Sequence, residues 1–210
     1  MSGVYLKRFL IVLYAAGLVG MNMPATQELF ISLVPLTLWF TGFICLFYFP
    51  KPSMSAYLTL GGIVVAAWFL EVVGVRTGKI FGVYHYGETL GFKVMDVPIT
   101  IGINWLILLL GSSAVVEEWN VGGKIGRAAL GAGLMTALDL LIEPVAIHFD
   151  FWQWSGGQVP IQNFGAWWLV SFFFHWVFQS GEFTSKSSLF RWVLLLQFMF
   201  FLGHWIFLQA

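Results

Sequence analysis

The chain has 210 residues, of which 59% are hydrophobic and only 10% are charged. An average soluble domain has about 25% charged residues, so a soluble enzyme, a disordered chain and a nucleic-acid-binding protein are excluded. Ten Lys and Arg residues balance ten Asp and Glu residues, which leaves no net charge to attract a polyanion. The single cysteine, Cys45, excludes an internal disulfide and a cysteine metal cluster. The composition predicts a polytopic membrane protein that forms one domain over residues 1–210.

Apolar segments predict about seven transmembrane helices, because a helix needs roughly 20 residues to cross a bilayer. The segment that follows Lys7 and Arg8 resembles a signal peptide, but no clear cleavage site follows it, so we interpret it as an anchor. The expected fold is an all-α membrane helix bundle, with six or eight spans as alternatives. In chain order the predicted spans are Phe9–Met23, Leu29–Phe49, Tyr57–Val75, Val97–Val116, Ile125–Ile147, Phe164–Phe178 and Leu189–Leu208.

The positions of Lys and Arg predict the orientation, since basic residues concentrate in cytoplasmic loops. They lie at the N-terminus and in alternate connections, which places the N-terminus in the cytoplasm and the C-terminus on the far side. One far-side connection breaks this rule with Arg76, Lys79 and Lys93. Acidic residues concentrate toward the far side, and only three lie toward the cytoplasm: Glu117, Glu118 and Glu182. A functional site is therefore expected at the far side.

Two segments share an order and spacing of residues that indicates a duplication of spans 3–4 and 5–6. In each, an acid is followed after ten, thirteen and fifteen residues by an aromatic residue: Glu71, Phe81, Tyr84 and Tyr86, and then Asp139, Phe149, Trp152 and Trp154. A Val-Pro-Ile tripeptide then precedes Trp105 and Trp167 by the same interval. Both copies run outward and return, so they form parallel repeats about an axis normal to the membrane. This axis predicts an aromatic pocket in which Glu71 lies opposite Asp139.

Four acids in or beside the spans are candidate catalytic residues, since ionisable groups in a membrane are costly and often functional. They are Glu71, Asp96, Asp139 and Glu143. A buried carboxylic acid that keeps its proton can act as a general acid. As alternatives, Glu71 only pairs with Arg76, and Asp96 only caps the fourth span. Asp139 and Glu143 share a helix face. As an alternative to catalysis, these two acids only reach the water at the membrane interface.

The aromatic residues of the two loops also have two interpretations. Tyr84, Tyr86, Trp152 and Trp154 either form an interfacial belt or present ring faces to a carbocation or polyene. The four histidines show no paired metal-binding spacing, so no metal is predicted. No Gly-rich phosphate motif follows a strand, so no nucleotide cofactor is expected.

Several motifs resemble the integral-membrane carotenoid biosynthesis family, which includes the carotenoid 1′,2′-hydratases and the bisanhydrobacterioruberin hydratase. The resemblance covers residues 60–180, and one departure concerns the family's second motif, which is closer to Asp-Pro where this chain has Glu143-Pro144. The relative importance of Glu143 and Asp139 therefore stays open. The motifs are Glu71-Val-Val-Gly-Val-Arg-Thr-Gly78, Phe81-Gly-Val-Tyr-His-Tyr86, Val97-Pro-Ile99, Phe151-Trp-Gln-Trp154 and Val159-Pro-Ile-Gln-Asn-Phe-Gly-Ala-Trp167.

The resemblance implies a cofactor-independent enzyme that adds water to the terminal double bond of an acyclic carotenoid taken from the bilayer. Other carotenoid enzymes are possible partners. A lycopene-type cyclase would use the same protonation, and a small-molecule transporter or a carotenoid-binding protein are further alternatives. A retinal protein is excluded, because no lysine lies inside a span. The expected substrate-binding residues are Arg76, Tyr84, Tyr86, Trp105, Trp152, Trp154, Asn163 and Trp167.

Overall fold

The computed structural model describes residues 3–120, 122–181 and 183–209, so Glu182 lies outside the described residues. Within these ranges eight helices form a bundle, and four short strands form two antiparallel pairs. The helices are α1 (Gly3–Asn22), α2 (Gln27–Ser32), α3 (Val34–Phe47), α4 (Met54–Thr77), α5 (Thr100–Trp119), α6 (Lys124–His148), α7 (Ile161–Ser180) and α8 (Ser188–Gln209). The strands are β1 (Tyr84–Tyr86), β2 (Lys93–Val94), β3 (Val97–Pro98) and β4 (Trp152–Trp154).

Five helices, α1, α4, α5, α6 and α8, are long and apolar enough to cross a membrane, and they match five of the seven predicted spans. The second predicted span, Leu29–Phe49, is divided at Leu33 into α2 and the 14-residue α3. Pro35 explains the division, because proline is accepted in the first turn of a helix but not in its interior. The sixth predicted span corresponds to the 20-residue α7, which is not among the five. The all-α membrane helix bundle is confirmed.

Helix α5 lies at the centre of the bundle, where it contacts α3, α4, α6, α7 and α8. Most of its residues are buried, including every residue from 105 to 114. The outer helices instead expose large apolar side chains, such as Phe47 at 80% and Ile161 at 85%. Extended apolar exposure of this kind suits a surface that faces lipid rather than water.

Local signals fix the position of α4 beside α5. The Ser53 hydroxyl accepts a hydrogen bond from the Ala56 amide at 3.1 Å and caps the start of α4. Gly78 ends the helix in the left-handed conformation with a φ of 64°. Gly102 of α5 lies against α4, where a Cβ atom would approach the Val64 carbonyl oxygen to 2.6 Å. The glycine therefore permits the close contact that brings the two helices together.

Strands β1 and β4 pair in an antiparallel register that relates the two repeats. Tyr84 pairs with Trp154 and Tyr86 with Trp152, while His85 faces Gln153 at the centre. In the repeat, Tyr84 corresponds to Trp152 and Tyr86 to Trp154, so each tyrosine pairs with the counterpart of the other tyrosine. A local two-fold axis between the strands produces this relation. Because β1 follows α4 and β4 follows α6, both helices end at the same side of the bundle. The repeats are therefore parallel, as the sequence predicts.

Strands β2 and β3 form a hairpin whose two-residue turn contains Met95 and Asp96. Both residues have positive φ angles, 52° and 68°, as a type I′ hairpin turn requires. Helix α5 begins only at Thr100, with Ile99 in the capping position. The interpretation of Asp96 as the cap of the fourth span is therefore wrong, because the hairpin separates it from the helix.

Candidate active site

Glu71 is buried near the end of α4, with 4% of its surface exposed, and it accepts hydrogen bonds from three aromatic side chains. Both tyrosine hydroxyls of β1 donate to its Oε2 atom, the hydroxyl of Tyr86 at 2.9 Å and that of Tyr84 in a shorter contact. The Trp105 Nε1 group donates to Oε1 at 3.1 Å. Arg76 does not pair with Glu71, so the interpretation of Glu71 as a simple partner of Arg76 is wrong.

Glu143 occupies the matching position beside β4, with 3% of its surface exposed. Its Oε2 atom accepts hydrogen bonds from the Nε1 groups of Trp152 at 3.0 Å and Trp154 at 2.8 Å. The Asn163 amide donates to Glu143 Oε1 and to Asp139 Oδ2, both at 2.9 Å. The Oδ1 atom of Asp139 is buried and has no hydrogen-bond partner among the described residues. One amide therefore bridges two carboxyl groups.

A small cavity lies between the two repeats and is lined by both glutamates; we call it the acid cavity. Its volume of about 20 Å³ is enough for about one water molecule. Nine of the predicted catalytic and substrate-binding residues line it: Glu71, Tyr84, Tyr86, Trp105, Glu143, Trp152, Trp154, Asn163 and Trp167.

Asp139 does not line the acid cavity and meets it only through Asn163. The prediction that Asp139 lies opposite Glu71 therefore needs a correction, since Glu143 is the acid that shares the cavity with Glu71. The reason is the reach of the side chains. Glu143 lies one helical turn after Asp139, close enough for the indole N–H groups of β4 to donate to it.

The structure does not bring Asp96 and Arg76 to the acid cavity. They form an exposed ion pair with an Arg76 Nη2 to Asp96 Oδ2 distance of 3.7 Å. The Asp96 side chain is 78% exposed and the Arg76 side chain is 59% exposed. An exposed pair of this kind contributes about 0 to 1 kcal/mol to stability. Neither Asp96 nor Arg76 lines the acid cavity with Glu71 and Glu143.

Glu71 and Glu143 line the acid cavity and Asp139 lies beside it, and none of these three buried carboxyl groups forms an ion pair with Lys or Arg among the described residues. Burying several unpaired charges is very costly, so the three groups cannot all be ionised together. Burial and the charge of Glu71 raise the pKa of Tyr84 and that of Tyr86 above the ordinary value of 10.0. Both phenols therefore remain neutral donors to Glu71 near neutral pH.

Sequence reasoning missed three residues that line the acid cavity as site residues: Phe81, Ile101 and Asn104. Phe81 is part of the repeated pattern, but the pattern alone gives it no chemical role. Asn104 is the one polar residue in the stretch 101–111 of α5, and an uncharged polar residue in that position is the signal that could have indicated it. Ile101 carries no such signal, because an apolar residue in a span is ordinary.

The sequence profile of a family described as carotenoid biosynthesis protein matches residues 32–210. The chain belongs to this family. Together with the five long apolar helices, membership identifies an integral membrane protein of carotenoid biosynthesis.

A relative of this carotenoid biosynthesis protein is the bisanhydrobacterioruberin hydratase of Haloarcula japonica, which is 29% identical over 133 residues. The aligned part covers 57% of this chain and 43% of the relative, so it spans less than half of the relative's length. No solved structure matches the chain.

Proposed function

We propose that this carotenoid biosynthesis protein adds water across the terminal 1′,2′ double bond of an acyclic carotenoid by acid catalysis. The observation that carries the proposal is the acid cavity, in which Glu71 and Glu143 flank a space of about one water molecule. The family and the hydratase relative support the same reaction. No organic cofactor is needed, because the addition involves no net oxidation or reduction.

The reaction begins with proton transfer to the less substituted carbon of the trisubstituted alkene, which leaves a tertiary cation at the other carbon. We assign the proton to Glu143, since it lines the cavity and shares the Asn163 amide with Asp139. Two carboxyl groups held this close favour a single shared proton. Asp139 acts as a positioning residue that keeps a proton available to Glu143.

Water then attacks the cation, and the proton that it loses passes to the Glu71 carboxylate. Three donors hold Glu71 as an acceptor, so it is suited to orient the water and to take this proton. The net change is the addition of one water: Glu143 gives one proton to the alkene, and Glu71 takes one proton from the water. Transfer of a proton from Glu71 back to Glu143 restores the starting protonation states.

Aromatic faces around the cavity stabilise the cation until water attacks it. Trp105 and Trp167 stack at the cavity wall, and Trp152 and Trp154 line it beside Glu143. None of these indoles is a strong nucleophile, so they lower the energy of the cation without capturing it.

We further propose that the N-terminus lies in the cytoplasm and that the acid cavity opens toward the far side of the membrane. The distribution of Lys and Arg supports this orientation. The substrate comes from the bilayer, since a long polyene has negligible solubility in water.

The test is expression in one host that accumulates lycopene and in another that accumulates an acyclic carotenoid alcohol with a free terminal double bond. A product heavier by one water, with an unchanged chromophore, is the expected result. A product of unchanged mass with a blue-shifted spectrum would make the protein a cyclase instead. If neither carotenoid changes while folded protein is present in the membrane, carotenoid binding or transport replaces catalysis. The double variant Glu71→Gln with Glu143→Gln is the inactive control.

A further inference from the structure

A second pocket adjoins the acid cavity on the side formed by α1, α2, α3 and α8; we call it the apolar pocket. Its volume of about 140 Å³ is seven times that of the acid cavity. Ile101, Asn104 and Trp152 line both spaces, so the two share part of their walls. A ligand in the apolar pocket therefore lies beside the acid cavity.

The apolar pocket opens at the outer surface of the bundle. Leu33, at the junction of α2 and α3, lines the pocket and is 38% exposed. Ala16 of α1 also lines it and is exposed. The surface around this opening is apolar and suited to lipid, so a hydrophobic molecule can enter sideways from the bilayer.

No Lys, Arg, Asp or Glu lines the apolar pocket within the described part of the chain. Most of its wall is aliphatic or aromatic, with Phe30, Phe200 and Phe201 among the larger side chains. A charged ligand, such as a diphosphate or a fatty-acid anion, would have no counter-charge here. The wall fits an uncharged hydrocarbon chain.

Gln197 is the feature of this wall that a pure hydrocarbon does not explain. It lies on α8, is 3% exposed, and lines the apolar pocket. Its Oε1 atom is buried without a hydrogen-bond partner among the described residues. A buried amide oxygen that stays unpaired destabilises the complex, whereas a ligand hydroxyl would donate to it.

We propose that the apolar pocket binds the acyclic chain of the substrate beside its reacting end, and that Gln197 accepts a hydrogen bond from a hydroxyl on that chain. The preferred substrate is then an acyclic carotenoid alcohol rather than a hydrocarbon. This inference rests on the proposed hydration for its substrate, but the binding site itself can be tested without turnover.

Binding is tested with Ala16→Trp, which places a large ring in the mouth of the apolar pocket. Ala15→Trp is the matched control, because Ala15 is the adjacent exposed residue of α1 and does not line the pocket. Each variant is purified in detergent from a host that makes the carotenoid alcohol, and the bound carotenoid is measured by absorbance per protein. We expect Ala16→Trp to lose at least nine-tenths of the carotenoid and Ala15→Trp to keep it. Equal retention by both variants would overturn the assignment of the pocket.

Recognition of the hydroxyl is tested with Gln197→Leu, a substitution of similar size without polar atoms. Membranes that contain each variant are supplied with lycopene or with the carotenoid alcohol, and initial rates of hydration are compared. The unmodified protein should favour the alcohol about tenfold to a hundredfold, and Gln197→Leu should remove this preference by slowing the alcohol alone. An equal effect on both substrates, or none on either, would overturn the role of Gln197. If the unmodified protein hydrates neither, the proposed function fails while the binding measurement still stands.

Discussion

Trp105 and Trp167 stack on each other, with ring centroids 4.3 Å apart and ring planes 19° from parallel. The two tryptophans occupy equivalent positions in the two repeats, after Val97-Pro-Ile99 and Val159-Pro-Ile161. Equivalent residues of a duplicated unit meet only where the two-fold axis passes between them. The axis therefore runs through the wall of the acid cavity, which explains why both repeats contribute residues to that wall.

The first prediction concerns Glu71, the acceptor of three aromatic donors. Glu71→Gln removes the carboxylate that takes a proton from water, so we expect hydration to fall at least a hundredfold with the protein still folded. The measurement is product per mole of protein by mass spectrometry. Glu28→Gln is the matched control, since Glu28 is exposed on α2. Near-normal turnover by Glu71→Gln would remove Glu71 from the mechanism.

The second prediction orders the other acids. Glu143→Gln should abolish hydration, because Glu143 lines the cavity, whereas Asp139→Asn should slow it about tenfold to a hundredfold through the loss of a positioning group. Asp96→Asn carries the same substitution on the surface and should change the rate less than twofold. Initial rates in isolated membranes compare the three. An order in which Asp139→Asn is the most severe would assign the proton to Asp139 instead.

The third prediction concerns alkaline stability. Because the pKa of Tyr84 and of Tyr86 is raised in the fold, each phenol binds its proton more tightly in the folded state than in the unfolded state. The unfolded chain then loses protons first as the pH rises past 10.0, so stability is full below that value and decreases above it.

This decrease is measured as the melting temperature in detergent at pH 9 and pH 11, values of about one unit on either side of the ordinary tyrosine pKa. Tyr84→Phe combined with Tyr86→Phe should reduce the difference between the two temperatures. Tyr5→Phe is the control, since Tyr5 is 62% exposed. The same slope in all three proteins would mean that the two buried phenols do not control alkaline unfolding.

The fourth prediction concerns the backbone contact that holds β1 against β4. A Cβ atom on Gly87 would collide with the carbonyl oxygen and carboxylate of Asp150. Gly87→Ala should therefore push the strands apart and destabilise the protein by about 1 to 3 kcal/mol, with loss of hydration. Gly156→Ala, at a position with open space, should leave both properties unchanged. Denaturation in mixed micelles and product assays give the two measurements, and a fully active Gly87→Ala would show that this spacing is not required.

Much of the fold follows from the sequence, because long apolar segments and a repeated spacing are one-dimensional patterns. The repeat also predicts that Tyr84 and Tyr86 lie near Trp152 and Trp154, as the β1–β4 pairing confirms. The sequence does not predict that Glu143 shares the acid cavity with Glu71. The repeated spacing compares positions along the backbone, whereas the reach of each side chain decides which acid contacts the indole N–H groups.

The apolar pocket could not be predicted for a different reason. Much of its wall comes from α1, α2, α3 and α8, which lie outside the repeat and carry no motif. Contacts between helices far apart in the chain leave no periodic signal in either segment. The division of the second span at Leu33 is likewise visible only in retrospect through Pro35, since proline is common in membrane helices.

The difference between the tyrosine strand and the tryptophan strand has a consequence for how such a site can arise. A dimer of two identical repeats would surround both glutamates with the same donors, and the two acids would be chemically interchangeable. A phenol can accept a hydrogen bond as well as donate one, whereas an indole N–H only donates. Joining the repeats in one chain lets the two sides mutate independently, so one acid can specialise in giving a proton and the other in taking it, as the proposed hydration requires. The proposed division of roles between the two acids therefore depends on covalent fusion of the two repeats.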